Sequence, residues 1–178
     1  MKKFIGYVLI LTLLLVCISS CSGYNKIMRD HLSNPANYQT FDVVLTDMCY
    51  QDPSNHKILR DFDKQDFLNY DITIYVTFET IEDISAFLGH SPNLDIPLEE
   101  YEISLHIPRD NSKVLFNNGF YENISSGDKI TITSSNWVYM DSDFFYVAQV
   151  EYNGVMYLSF DDGLKNITDM MNKNKSLI

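Results

Sequence analysis

Strict alternation of apolar and polar residues over 71–79 is the feature that most constrains the fold of this chain. Successive side chains of a β-strand point to opposite faces, so such a segment presents one apolar and one polar face. The apolar set is Ile72, Ile74, Val76 and Phe78. The polar set is Thr73, Tyr75 and Thr77. The segment therefore predicts a strand that covers a core on one side and faces solvent on the other.

The same two-residue period recurs along much of the chain. It predicts further strands near 38–48, 100–107 and 127–133, and a closing pair over 144–160. Asn153-Gly154 lies inside the closing pair and is a strong hairpin signal, because a type I′ turn requires positive φ at both central residues. Five or six strands, mostly antiparallel, are expected.

Two segments have helical periodicity instead. Thr80 and Asp83 have the spacing of a capping box, and an apolar face follows them up to Gly89, which predicts a helix over 80–89. A second helix is predicted over 161–172. The fold class is therefore β-rich α+β: a small antiparallel β-barrel, or a curved sheet with one or two short helices. A β-sandwich remains an alternative.

The order of these elements resembles an oligonucleotide/oligosaccharide-binding (OB) barrel. The resemblance covers about 38–160 and depends on strand spacing and on Gly127-Asp128, a pair that leads into the fourth strand of many such domains. The helix at 80–89 departs from the family pattern, because it falls between the second and third strands.

The first twenty residues have the three parts of a secretory signal. Lys2 and Lys3 precede an apolar stretch, and Ile18-Ser19-Ser20-Cys21 resembles the lipobox of bacterial lipoprotein precursors. The resemblance implies cleavage before Cys21 and a diacylglyceryl group on its thiol, which anchors the protein to membrane lipid. An uncleaved spanning helix is the alternative. It is disfavoured because the apolar run ends after about 15 residues, where a span needs roughly 20.

This interpretation predicts the cellular location and the domain organisation. It predicts a signal peptide at 1–20, a lipid-anchored tether with a short helical turn at 21–37, a single β-rich domain at 38–172 and a frayed tail at 173–178. The protein would lie on the extracytoplasmic face of the cell membrane. In a cell with two membranes, Ser22 in place of the inner-membrane retention signal Asp would permit export to the outer membrane.

The charge of the mature chain restricts its partners. Removal of residues 1–20 leaves 11 basic residues against 24 acidic ones, a formal charge of −13. Nucleic-acid binding requires a basic face for the phosphates, so this balance excludes nucleic acid as a partner. A neutral or cationic partner is expected.

Candidates for chemistry are few. Cys49 has no partner for an intrachain disulfide once Cys21 is acylated, and it is interpreted as a small buried residue. Asp61, Asp63 and Asp66 form an acidic cluster without the glycine and distal glutamate of a calcium loop. The four histidines have no metal-binding spacing. The sequence nominates no catalytic residue, metal ligand or cofactor.

Exposed aromatic residues remain as candidates for ligand binding. Tyr75 projects from the polar face of its strand, and Trp137 and Tyr139 share one face of the segment before the closing hairpin. Such rings can stack on sugars or on peptide side chains. The alternative is that Trp137 and its aromatic neighbours fill the core.

Together these features predict a non-enzymatic, lipid-anchored binding module of the cell envelope, with a protein, peptide or glycan as partner. One alternative is a tethered hydrolase that acts on cell-wall glycan or peptide through a pair of carboxylates, although the sequence cannot nominate the pair. The other is a structural subunit of an envelope complex.

Overall fold

The computed structural model describes residues 26–173, except residues 53, 89–96, 98–100, 136–137, 140–141 and 144. The main sheet comprises β1 (Tyr38–Gln51), β2 (Ile58–Leu59), β3 (Ile72–Phe78), β4 (Glu102–Ile107), β5 (Lys129–Ser135), β8 (Val147–Tyr152) and β9 (Val155–Leu158). A small separate sheet comprises β6 (Val138–Tyr139) and β7 (Ser142–Asp143). The helices are α1 (26–32), α2 (Asp66–Asn69), α3 (Ile81–Leu88), α4 (Arg109–Asn117), α5 (Phe120–Asn123) and α6 (Phe160–Lys173).

The main sheet is antiparallel and is organised around the long strand β1. Its order is β4-β3-β1-β5-β8-β9, and β2 pairs with the end of β1. The first half of β1 pairs with β5, and its residues 43–50 pair with β3. The register with β3 shifts between Leu45 and Asp47. Such a bulge bends a strand and increases its twist, so β1 can belong to both halves of the curved sheet. The β-rich α+β class is confirmed.

The two ends of the sheet approach each other without forming a closed barrel. A single parallel bridge joins His106 of β4 to Tyr146, just before β8. The backbone N–H of His106 donates to the carbonyl of Phe145 over 2.7 Å. Since this is the one bridge between β4 and the chain entering β8 within the described residues, the curved sheet is the predicted alternative that is observed.

The core lies inside this curve. The predicted inner residues of β3 are all buried, as are Ile130 and Ile132 of β5. Aromatic rings fill the space beneath α3: Phe87 lies 5.3 Å from Phe41 and 4.6 Å from Phe145, between ring centroids. Each such buried side chain contributes about 1.5–3 kcal/mol.

Two predicted local signals are confirmed at atomic detail. The backbone N–H of Asp83 donates to the Thr80 hydroxyl, which in turn donates to the Asp83 carboxylate, so α3 begins with the predicted capping interaction. Asn153 and Gly154 have φ values of 51° and 74° between β8 and β9, as the hairpin turn requires.

Candidate functional site

The polar outer face of β1, β3 and β4 forms the candidate binding surface. Thr73 of β3 pairs with Cys49 on one side and with His106 on the other. These side chains point away from the core, because their chain neighbours Ile72 and Ile74 point into it. The hydroxyl oxygen of Thr73 lies 3.3 Å from Nδ1 of His106.

An open groove of about 610 Å³ adjoins this face. Strand residues that line it are Gln51, Thr73 and His106. The connection from β1 to β3 contributes His56, Asn69, Tyr70 and Asp71. Two helices complete it, with Pro108, Arg109 and Asp110 at the start of α4 and Asn166, Met170 and Lys173 on α6. We refer to this concavity as the groove.

The carboxylate of Asp71 fixes the start of α4 at the edge of the groove. The backbone N–H of Arg109 donates to Oδ1 of Asp71 over 2.7 Å. The first N–H groups of a helix have no partner within it, and the residue before α4 is Pro108, which makes no side-chain cap. Asp71, which precedes β3, therefore caps a helix that begins 38 residues later in the chain.

Charge among the residues that line the groove is balanced, in contrast to the chain as a whole, since Arg109 and Lys173 are matched by Asp71 and Asp110. The carboxylate of Asp110 lies 3.3 Å from Nζ of Lys113, 3.6 Å from Nζ of Lys173 and 3.9 Å from Nε of Arg109. Burial alone would raise the pKa of Asp110, but these three cations outweigh burial and lower it. Asp110 is therefore ionised and held by cations.

His106 provides an uncharged hydrogen-bonding group. Burial lowers the pKa of its imidazole below the ordinary 6.5, although the nearby Asp71 carboxylate opposes this. At neutral pH the ring is neutral, so one ring nitrogen donates and the other accepts.

Tyr75 lies on the outer face of β3, where the sequence places it. It pairs with Asp47 of β1 and Ser104 of β4, and its hydroxyl lies 3.7 Å from Sγ of the buried Cys49. Contact with Cys49 and burial raise the pKa of the Tyr75 hydroxyl, although Arg60 opposes them. Tyr75 is thus neutral, half-buried and two residues along the strand from Thr73 of the groove.

The other residues singled out from the sequence lie elsewhere. Tyr139 lies in β6, whereas Trp137 and Cys21, with the whole of 1–20, lie outside the described residues. Cys49 is buried, in agreement with its interpretation as a small buried residue, although it lies on the outer face of the sheet.

The acidic cluster near α2 is used for local capping. Oδ1 of Asp63 accepts from the backbone N–H groups of Gln65 and Asp66, and Oδ2 of Asp66 accepts from the backbone N–H of Asp63. Across the described part of the chain, no group of three or more His, Cys, Asp or Glu side chains is arranged to hold a metal ion.

Comparisons with protein-family models, curated proteins and solved structures find no match for this chain. Within the described ranges, no helix has both the length and the apolar character needed to cross a bilayer.

Proposed function

We propose that this protein is a lipid-anchored, extracytoplasmic binding module of the bacterial cell envelope, and that it binds a glycan in the groove. The observation that carries the proposal is the presence of Thr73, His106 and Tyr75 on one open sheet face beside the groove. Neutral hydroxyl and imidazole groups, with an aromatic ring beside them, suit an uncharged, hydroxyl-rich ligand. The extracytoplasmic address depends on the sequence at Ile18-Ser19-Ser20-Cys21.

The strand order supports the resemblance to an OB barrel. The five principal strands are β1, β3, β4, β5 and β8, and the one bridge that the described residues make between β4 and the chain entering β8 is parallel. OB folds are partly open five-stranded barrels that bind oligonucleotides and oligosaccharides on the face of strands two and three and in the 1–2 and 4–5 loops. Here strands two and three are β3 and β4, and the 1–2 loop provides one side of the groove.

Charge selects between the two ligand classes of such a barrel. The chain has a formal charge of −11, and the two cations that line the groove, Arg109 and Lys173, are matched by the two carboxylates that line it, Asp71 and Asp110. A polyphosphate backbone would meet no unneutralised basic stripe there, so a glycan is the better match. The 4–5 connection, residues 136–146, contains Trp137 and Tyr139, which are aromatic residues suited to stacking on sugar rings.

Binding also fits the groove better than hydrolysis. Glycosidic cleavage needs one carboxyl group that donates a proton and a second that stays ionised. Three cations hold Asp110 ionised, which suits only the second of these roles, and Asp71, the other carboxylate that lines the groove, is engaged in capping α4.

The test is binding of soluble cell-wall glycan fragments to the purified mature chain, followed by calorimetry. We expect Thr73→Ala and His106→Ala to weaken binding tenfold or more, whereas Thr131→Ala, on the outer face of β5, should bind as wild type. Equal affinity of all variants would exclude the groove. Turnover of the fragments would instead favour the hydrolase alternative.

The proposed lipid anchor has a separate test. A clickable fatty-acid probe supplied to cells should label the wild-type protein and leave Cys21→Ala unlabelled, and label on the variant would exclude the proposed anchor.

A further inference from the structure

The C-terminal helix α6 has two neighbouring rows of side chains with different partners. Ile167 and Met171 belong to a hydrophobic cluster that also contains Met28 and Leu32 of α1. The other row lines the groove and comprises Asn166, Met170 and Lys173. Adjacent residues of an α-helix are about 100° apart around the axis. The helix α1 and the groove therefore contact adjoining sides of the same helix.

The helix α1 is packed firmly on the domain. Leu32 is 0% exposed and packs in one cluster with Ala148 of β8 and Ile167. The hydroxyl of Tyr38 donates to the carbonyl of Leu32 over 2.8 Å, and the side-chain amide of Asn37 donates to the carbonyl of His31 over 2.9 Å. The segment between α1 and β1 is thus fixed as well.

This packing limits how far the domain can move from Cys21. Only five peptide steps separate Cys21 from residue 26 of α1, and they span at most about 18 Å when fully extended. If α1 were free, seventeen steps would lead from Cys21 to Tyr38, and they could span roughly 60 Å. Since α1 is about 10 Å long and α6 is about 10–12 Å wide, the α6 side of the groove lies within about 40 Å of the acylated residue.

We infer that the docked helix α1 shortens the free tether and thereby holds the groove close to the bilayer. The groove then meets glycans at the membrane surface. This inference rests on the proposed lipid anchor at Cys21. It gives the tether segment a second role, since its docked helix limits the distance between the lipid and the bound ligand.

The experiment attaches the mature chain to phosphatidylcholine vesicles through a maleimide lipid at Cys21. Cys49 is buried, so Cys21 is the reactive thiol of the folded chain. A donor dye on a clickable residue at position 173 and an acceptor lipid in the bilayer then report the height of the groove by energy transfer. We expect strong transfer for the wild type. A twenty-residue Gly-Ser insertion after Ser22 should weaken it, because this flexible segment adds about 25 Å of mean reach.

A matched pair of variants tests the docking itself. Leu32→Asn should release α1 and reduce the transfer, whereas Ile27→Asn, at a position of the same helix that is 53% exposed, should leave it unchanged. Because Leu32→Asn also affects a buried cluster, circular dichroism must show that the sheet persists. Equal transfer for the wild type and the insertion variant would overturn the inference. Chemical coupling makes this result independent of acylation in cells, which the fatty-acid probe tests separately.

Discussion

The side-chain amide of Asn166 donates a hydrogen bond to the side-chain oxygen of Asn111 over 3.0 Å and thereby joins α6 to α4. Asn111 is 0% exposed, and its own amide donates to the carbonyls of Val147 and Gly163 over 3.0 and 3.4 Å. One buried side chain therefore connects α4, α6 and β8 behind the groove.

Replacement of this residue should weaken the whole domain. Asn111→Leu removes three hydrogen bonds and leaves two carbonyls and the Asn166 amide without that partner. The expected loss in the free energy of unfolding is about 1–3 kcal/mol, measured by urea denaturation. Asn117→Ala, at the exposed end of the same helix, should change stability by less than about 0.5 kcal/mol. Equal effects of the two variants would contradict the role of Asn111.

Gly163 allows α6 to approach β8 closely. A Cβ atom at this position would lie 1.9 Å from the carbonyl oxygen of Ala148, a distance that forces backbone movement. Helix propensity alone predicts that Gly163→Ala stabilises the protein by up to about 1 kcal/mol. We expect the opposite sign, a loss of about 1–3 kcal/mol from overpacking. Thermal and urea denaturation decide between the two, with Asp169→Ala on the exposed side of α6 as the control.

Acidification should destabilise the protein through His106. Its pKa in the folded state is below the ordinary 6.5, because burial disfavours the charged ring. Between these two pKa values the unfolded chain binds more protons than the folded one, so the free energy of unfolding falls as pH drops from 6.5 toward the folded pKa.

The measurement is the urea midpoint at several pH values between 7.5 and 5. Wild type should lose more stability over this range than His106→Gln. Asn117→Ala, which removes no titratable group, should keep the wild-type slope. An identical slope for wild type and His106→Gln would show that this ring does not contribute.

The proposed glycan site makes a separate prediction for Tyr75. Loss of its ring in Tyr75→Ala should weaken binding of glycan fragments by about 0.5–1.5 kcal/mol, whereas Tyr75→Phe retains the stacking surface and should bind nearly as well. Calorimetric titration of the two variants separates the contribution of the ring to glycan affinity from that of the hydroxyl. Equal loss in both would assign the effect to the hydroxyl near Cys49.

The strands and the hairpin could be predicted because their signals are local. An alternating row runs from Ile72 to Phe78, and its two-residue period alone identifies a strand. Asn153-Gly154 specifies the hairpin turn between β8 and β9 through its backbone conformation. The capping pair of Thr80 and Asp83 is equally local. In each case the residues that carry the signal are also those that make the interaction.

The helix α4 gives no comparable signal. Asn111 and Ser112 are fully buried on its inner side, and Leu115 is the one buried apolar residue among its nine. Apolar periodicity cannot reveal a helix whose inner face is polar, because the compensating hydrogen bonds come from distant segments. The hydroxyl of Ser112, for example, donates to the carbonyl of Phe67.

The groove could be predicted only in part. Thr73 and His106 are placed on outer strand faces by alternation, but the other residues that line the groove extend from Gln51 to Lys173 along the chain. Asp71 has no signal as the cap of a helix 38 residues away, since the cap depends on how β3 and α4 meet in space.

The register shift in β1 has a final consequence for this chain. Before the shift, Val43 and Leu45 point into the core; beyond it, Met48 and Tyr50 pack against the core, while Cys49 takes the outer face. Because β1 contributes side chains both to the core and to the outer face of the sheet, loss or gain of a single residue at the register shift would turn Cys49 inward and Tyr50 toward solvent. An insertion or deletion in β1 therefore cannot change the outer face of the sheet without also disrupting the hydrophobic core.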